Sequence, residues 1–157
     1  MKSNSQLSDV LHVLLHMAER DAPMTSDTLA AAMQTHPVVL RRLMGGLRDA
    51  GFVGSAKGHG GGWVLTCSLD QVTLRDIHEA LGAPALVSLG FREDRPECLV
   101  ALAVHDALTS AVQEAEAALL RRLDGVTLAA LSRDFHQRLL ARGAVRHRPE
   151  EHFHDEH

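Results

Sequence analysis

The sequence predicts a mostly α protein with a small β-hairpin wing: a winged helix-turn-helix followed by a long dimerisation helix. Three observations carry this. Two short helical patterns stand close together, the second opening on Pro37. A glycine-rich stretch, Lys57-Gly58-His59-Gly60-Gly61-Gly62, then sits between two apolar segments, as a hairpin tip does. Finally, a long heptad-like pattern fills the region from Cys98 onward.

Composition supports a helical, aliphatic core. Apolar residues make up 45% of the 157, but aromatic residues only 3%. The formal net charge of −4 argues against a general polyanion binder, so any nucleic-acid site must be a local patch. Two cysteines, Cys67 and Cys98, are too few for a disulfide framework, and a bridge between them is disfavoured in a reducing compartment. Neither a secretory leader nor a membrane span is expected, which points to the cytoplasm.

The elements follow in order. Leu7, Val10, Leu11, Leu14 and Leu15 predict an amphipathic helix to Glu19, broken by Asp21-Ala22-Pro23. Ser26 is the expected cap of a second helix through Leu29 and Met33. Gln34-Thr35-His36 connects it to a third, with Pro37 at its first position, where the missing N–H costs nothing. Val38, Leu40, Leu43, Met44 and Leu47 give that helix an apolar face, and Arg41, Arg42 and Arg48 lie off it. Gly51 ends it. Phe52-Val53 begins the wing and Trp63 to Cys67 returns it, with Trp63 read as the residue that fixes the wing to the helices. Thr73 caps a compact helix to Leu81, stopped by Gly82 and Pro84.

Residues 83–97 read as a linker between the winged helix-turn-helix unit (1–82) and the dimerisation helices (98–141). Ala101, Val104, Leu108, Ala111, Ala115 and Ala118 form the seam, whose small residues allow two helices to approach closely. Gly125 interrupts it, and Thr127 caps a last helix through Leu139. Residues 142–157 read as a disordered, His-rich tail.

The third helix is the candidate recognition helix. Pro37 and Val38 open it, and Arg41 and Arg42 in its N-terminal half suit guanine edges or phosphates of the major groove. Arginines that merely solvate a helix face are the plain alternative. The hairpin that follows favours DNA, because Lys57 and His59 at a flexible tip suit a phosphate or the minor groove.

The run from His36 to Val53, the wing from Lys57 to Leu65, and Val72 to Leu81 resemble, in that order, the recognition helix, wing and following helix of the Rrf-two family of bacterial regulators. The resemblance spans roughly residues 7–140. It implies a homodimeric winged helix-turn-helix transcription factor, usually a repressor, with the long helix as dimerisation element. Two recognition helices related by a two-fold axis would read a pseudo-palindromic double-stranded DNA operator. No Ser/His/Asp constellation, phosphate-binding glycine loop or metalloprotease spacing is present, so no enzyme is expected. Cluster-binding members carry three cysteines near the start of the long helix, where this chain has Cys98 alone. It therefore looks like the cluster-free branch, and no cofactor is expected. An iron–sulfur cluster with Glu97 and His105 as replacement ligands is the alternative.

Cys98 stands at the expected start of the long helix, where backbone N–H groups favour a thiolate, so it is the candidate redox sensor. Glu97 opposes this, and a small hydrophobe at the dimer seam is the competing role. His12 with His16, and His152, His154 and His157 in the tail, suggest metal binding, but a helix face and a solvated tail account for them, and no metal site is assigned. An interaction module without its own operator, suggested by the net negative charge, is the second functional class, and a ligand- or metal-responsive regulator of the same fold is the third.

Overall fold

A computed structural model describes residues 6–90 and 97–146. The tail histidines and Pro96 lie outside these residues. Six helices and one hairpin follow each other as α1 (Gln6–Ala18), α2 (Ser26–Ala32), α3 (Pro37–Asp49), β1 (Val53–Ala56), β2 (Gly62–Leu65), α4 (Leu74–Ala80), α5 (Leu99–Asp124) and α6 (Leu128–Arg146). The mostly α winged helix-turn-helix is therefore present as expected.

The core sits where α1 to α4 meet. Val10, Val13 and Leu14 of α1 pack with Leu29 of α2, with Leu40, Met44 and Leu47 of α3, and with Val53 and Ile77. Their three- and four-residue spacing turns one stripe of each helix inward, and burial of those stripes is the main force holding the head together.

Local chemistry fixes the helix ends. Thr73 and Asp76 form a reciprocal capping box: the Asp76 N–H donates to Thr73 Oγ1 at 3.2 Å, and the Thr73 N–H donates to Asp76 Oδ2 at 2.8 Å. The cap of α2 is Thr25, not Ser26. Thr25 has the extended backbone of a cap, and its Oγ1 accepts from the Thr28 N–H at 3.2 Å. The Ser26 hydroxyl is otherwise engaged, as described below.

The hairpin pairs Val53 with Leu65 and Ala56 with Gly62. A third segment joins it. The Trp63 N–H donates to Met24 O at 2.8 Å and the Met24 N–H donates to Trp63 O at 3.0 Å, which ties the α1–α2 loop to β2. Gly62 permits this approach, because a Cβ there would stand 2.5 Å from Met24 O.

The boundary expected at residue 98 is crossed by the last helix. Leu128 is fully buried in the head, and its N–H donates to Val72 O at 2.9 Å, while the Ala129 N–H donates to Leu69 O at 3.0 Å. The first turn of α6 is thus part of the head, and α5 is a long excursion that leaves it and returns. Helix α6 continues to Arg146, past the expected start of the tail at residue 142.

Candidate nucleic-acid interface

Helix α3 owes its position to its apolar stripe. Leu40, Leu43, Met44 and Leu47 are buried, and Gly46 brings α3 so close to α4 that a Cβ there would lie 2.6 Å from Ala80 O. The opposite stripe therefore faces outward. Val38 is 61% exposed, and Arg41, Arg42 and Arg48 are exposed with it. Pro37 occupies the first turn, half-buried.

The start of α3 has a cap that the sequence reading missed. The His36 Nδ1 accepts from the Val38 N–H at 3.2 Å, so this histidine is a cap and not just a connecting residue. The signal was its place immediately before a proline that opens a helix.

Arg48 lies in the last turn, where a cation also suits the helix dipole. Its contact with Asp49, 3.5 Å between exposed groups, is weak and leaves most of the guanidinium to solvent.

The wing springs from the end of α3. The Phe52 N–H donates to Leu47 O at 2.9 Å, and β1 follows directly. At the tip, Gly58 and Gly60 adopt left-handed backbone with φ of 100° and 79°, and Lys57 and His59 are exposed. Behind the tip, the Trp63 indole Nε1–H donates to Ser26 Oγ at 3.0 Å, which anchors the wing to α2. Trp63 is thus the packing residue expected, and Ser26 is its partner.

Cys98 is on a separate element. It is the N-cap residue of α5, and it is exposed. The backbone N–H groups of Ala101 and Val100 stabilise its thiolate and lower its pKa below the ordinary value. Burial pushes the Cys67 thiol the other way.

A profile of the Rrf2 family, described as iron-dependent transcriptional regulators, matches residues 3–134. The chain belongs to the Rrf2 family. Among its relatives, YffB of Lactococcus lactis, assigned to the HTH-type transcriptional regulators, is 29% identical over 133 residues, 82% of this chain and 85% of that one. YwgB of Bacillus subtilis, similarly assigned, is 32% identical over 83 residues, 52% of this chain and 53% of YwgB, so that match spans about half of that relative's length. In fold the chain is similar to IscR of T. potens, at 19% identity with a TM-score of 0.60, covering 85% of this chain and 88% of that one. This Rrf2 chain is accordingly a transcriptional regulator and not an enzyme, and DNA is its partner. No helix among the described residues is long and apolar enough to cross a membrane.

The family description raises iron. A cluster needs several thiolates gathered together. The sequence holds two cysteines, one half-buried just past β2 and one exposed at the start of α5. Among the described residues, no three His, Cys, Asp or Glu side chains are grouped to hold a metal ion. The alternative ligand set of Glu97, Cys98 and His105 is therefore not assembled. His12 and His16 do meet, with Nε2 atoms 2.9 Å apart, but as a pair.

Proposed function

We propose that this regulator acts as a homodimeric repressor in the cytoplasm, binding a pseudo-palindromic operator through two copies of α3. The carrying observation is the division of α3 into a buried aliphatic stripe and an exposed stripe with Val38, Arg41 and Arg42 at its N-terminal half. A helix held in this way by its core face can enter the major groove with its arginines forward. Arg41 and Arg42 take guanine edges or phosphates. Pro37 and Val38 contact the groove wall at the helix start, and Arg48 adds a phosphate contact. Lys57 and His59 take the flanking minor groove or backbone.

Dimerisation through α5 is supported by what that helix leaves uncovered. Leu99 is 79% exposed and Val100 is 75% exposed, and α5 buries no residue within its own chain. Apolar surface of that kind favours a partner, and a second copy places two recognition helices about one helical turn of DNA apart.

Fluorescence anisotropy with the DNA upstream of the chain's own gene, beside a scrambled fragment at two salt concentrations, tests the reading. Tight binding to the upstream fragment alone is expected. Arg41→Ala or Arg42→Ala should cost about 1–3 kcal/mol and relax specificity if the residue reads a base, or weaken both fragments alike and lower the salt slope by about one if it holds a phosphate. Unchanged affinity in both variants removes α3 as the recognition helix.

Cys98 supports a second reading, a thiol switch at the joint between head and long helix. Its exposure and lowered pKa are the specific observations. Oxidants or alkylating agents should release the protein from DNA, and a Cys98→Ser protein that still releases normally would rule the switch out.

A further inference from the structure

A cleft of about 370 Å³ opens between α1, α4 and the start of the segment that leads to α5. Leu7 and Leu11 of α1 line it together with Pro84, Ala85 and Leu86 and with His78 of α4. None of the residues assigned to DNA contact lines it. The volume falls within the range of small-molecule sites, roughly 300–1,000 Å³.

His78 is the feature that needs explaining. It is 3% exposed, the one buried polar side chain among the described residues, and its Nδ1 has no hydrogen-bond partner. Buried polar groups are ordinarily paired, and one left without a partner costs stability. The imidazole lines the cleft while its Nδ1 is turned away from the surface, so a guest that draws the ring toward itself relieves that cost.

The lining also limits what the ligand is. Apart from the imidazole it offers aliphatic surface, with the Ser8 hydroxyl on the exposed side of α1. Among the described residues that line it there is neither a carboxylate nor an Arg or Lys head group. A charged guest would give up its hydration without a counter-ion.

We propose that the cleft binds a small neutral molecule with an apolar body and one hydroxyl or carbonyl group, hydrogen-bonded to His78. The cleft is also coupled to the long helix. Ala83 turns the chain with φ 48° and its N–H donates to His78 O at 3.1 Å, so the wall begins at the histidine itself. The Leu86 and Val87 N–H groups then donate to Glu116 Oε1 of α5, at 2.9 and 3.4 Å. A guest that pushes this wall shifts it against α5, and thereby the two heads of the dimer. This consequence rests on the DNA-binding dimer proposed above; occupation of the cleft does not.

The test uses the full ¹⁵N-labelled chain and 4-propylphenol as probe, with propylbenzene and hexanoate as controls. The expected result is a saturable shift of the His78 ring nitrogens by the phenol, with at least tenfold weaker binding of both controls. Ser8→Trp, an exposed substitution at the cleft wall, should abolish the shift while leaving the circular dichroism spectrum unchanged. No saturable shift, equal binding of the controls, or a shift that survives Ser8→Trp overturns the site. Anisotropy on the upstream DNA is run in parallel, where the phenol should change affinity at least threefold in the parent and not in Ser8→Trp. A saturable shift with unchanged DNA affinity overturns the coupling alone. A saturable shift in a protein that never binds the DNA specifically overturns the operator reading and leaves the cleft standing.

Discussion

Helix α3 has 13 residues and buries Leu40, Leu43, Met44 and Leu47, whereas α5 has 26 residues and buries none. Both are apolar enough to need cover. The difference is where the cover comes from. The stripe of α3 is satisfied by α1, α2, α4 and β1 of the same chain, so its outer stripe is rigidly presented. Helix α5 meets its own head mainly through α4 and the Glu116 contacts, and Leu99, Val100 and Val104 face outward. Helices owe most of their stability to tertiary packing. The head is therefore complete as a single chain, while the long helix is completed in the proposed dimer.

Truncation in each region gives the sharpest contrast. Leu47→Ala should destabilise the head by about 2–5 kcal/mol, because it leaves a cavity beneath α3. Val104→Ala, measured by urea unfolding at concentrations low enough to dissociate a dimer, should change stability by less than about 0.5 kcal/mol. A loss at Val104 comparable to that at Leu47 under those conditions would erase the distinction between the two helices.

Within α3 itself, two adjacent glycines should respond in opposite directions. Gly46→Ala drives a methyl against the Ala80 carbonyl and should cost about 1–3 kcal/mol. Gly45→Ala meets open space in a helix interior and should raise stability by about 0.5–1 kcal/mol. Thermal unfolding of the pair decides whether the packed side of α3 is the one described.

A more modest loss than that of Leu47→Ala is expected in the wing. Trp63→Phe keeps most of the packing but removes the bond to Ser26, and should cost about 1 kcal/mol. Ser26→Ala should cost a similar amount, and the double variant little more than either, since the two changes remove one shared interaction. Additive losses would mean that the indole and the hydroxyl act separately.

Much of this was legible in the sequence, because the deciding signals are local. The period of α3, Pro37 at its start, the glycine-rich tip and the Thr73 cap each act within a few residues. Long-range features escaped. Nothing in the neighbourhood of Ser26 says that an indole 37 positions later takes its hydroxyl and leaves capping to Thr25. Nor does Leu128 announce that it belongs to the head, since its burial depends on where α5 returns the chain. His78 reads as an ordinary helix residue until α1 and the segment after α4 close around it. The exposed cations were legible as residue types, and their outward direction follows only from the burial of the other side of α3.

Sedimentation velocity of the parent chain beside Val104→Glu tests the central contrast most directly. The parent should sediment at twice the chain mass at micromolar concentration, and a carboxylate on the outward side of α5 should return it to a monomer whose head melts as before. A parent that sediments as a folded monomer, or a Val104→Glu chain that remains dimeric, would contradict the assignment of α5 as the element completed by a second copy.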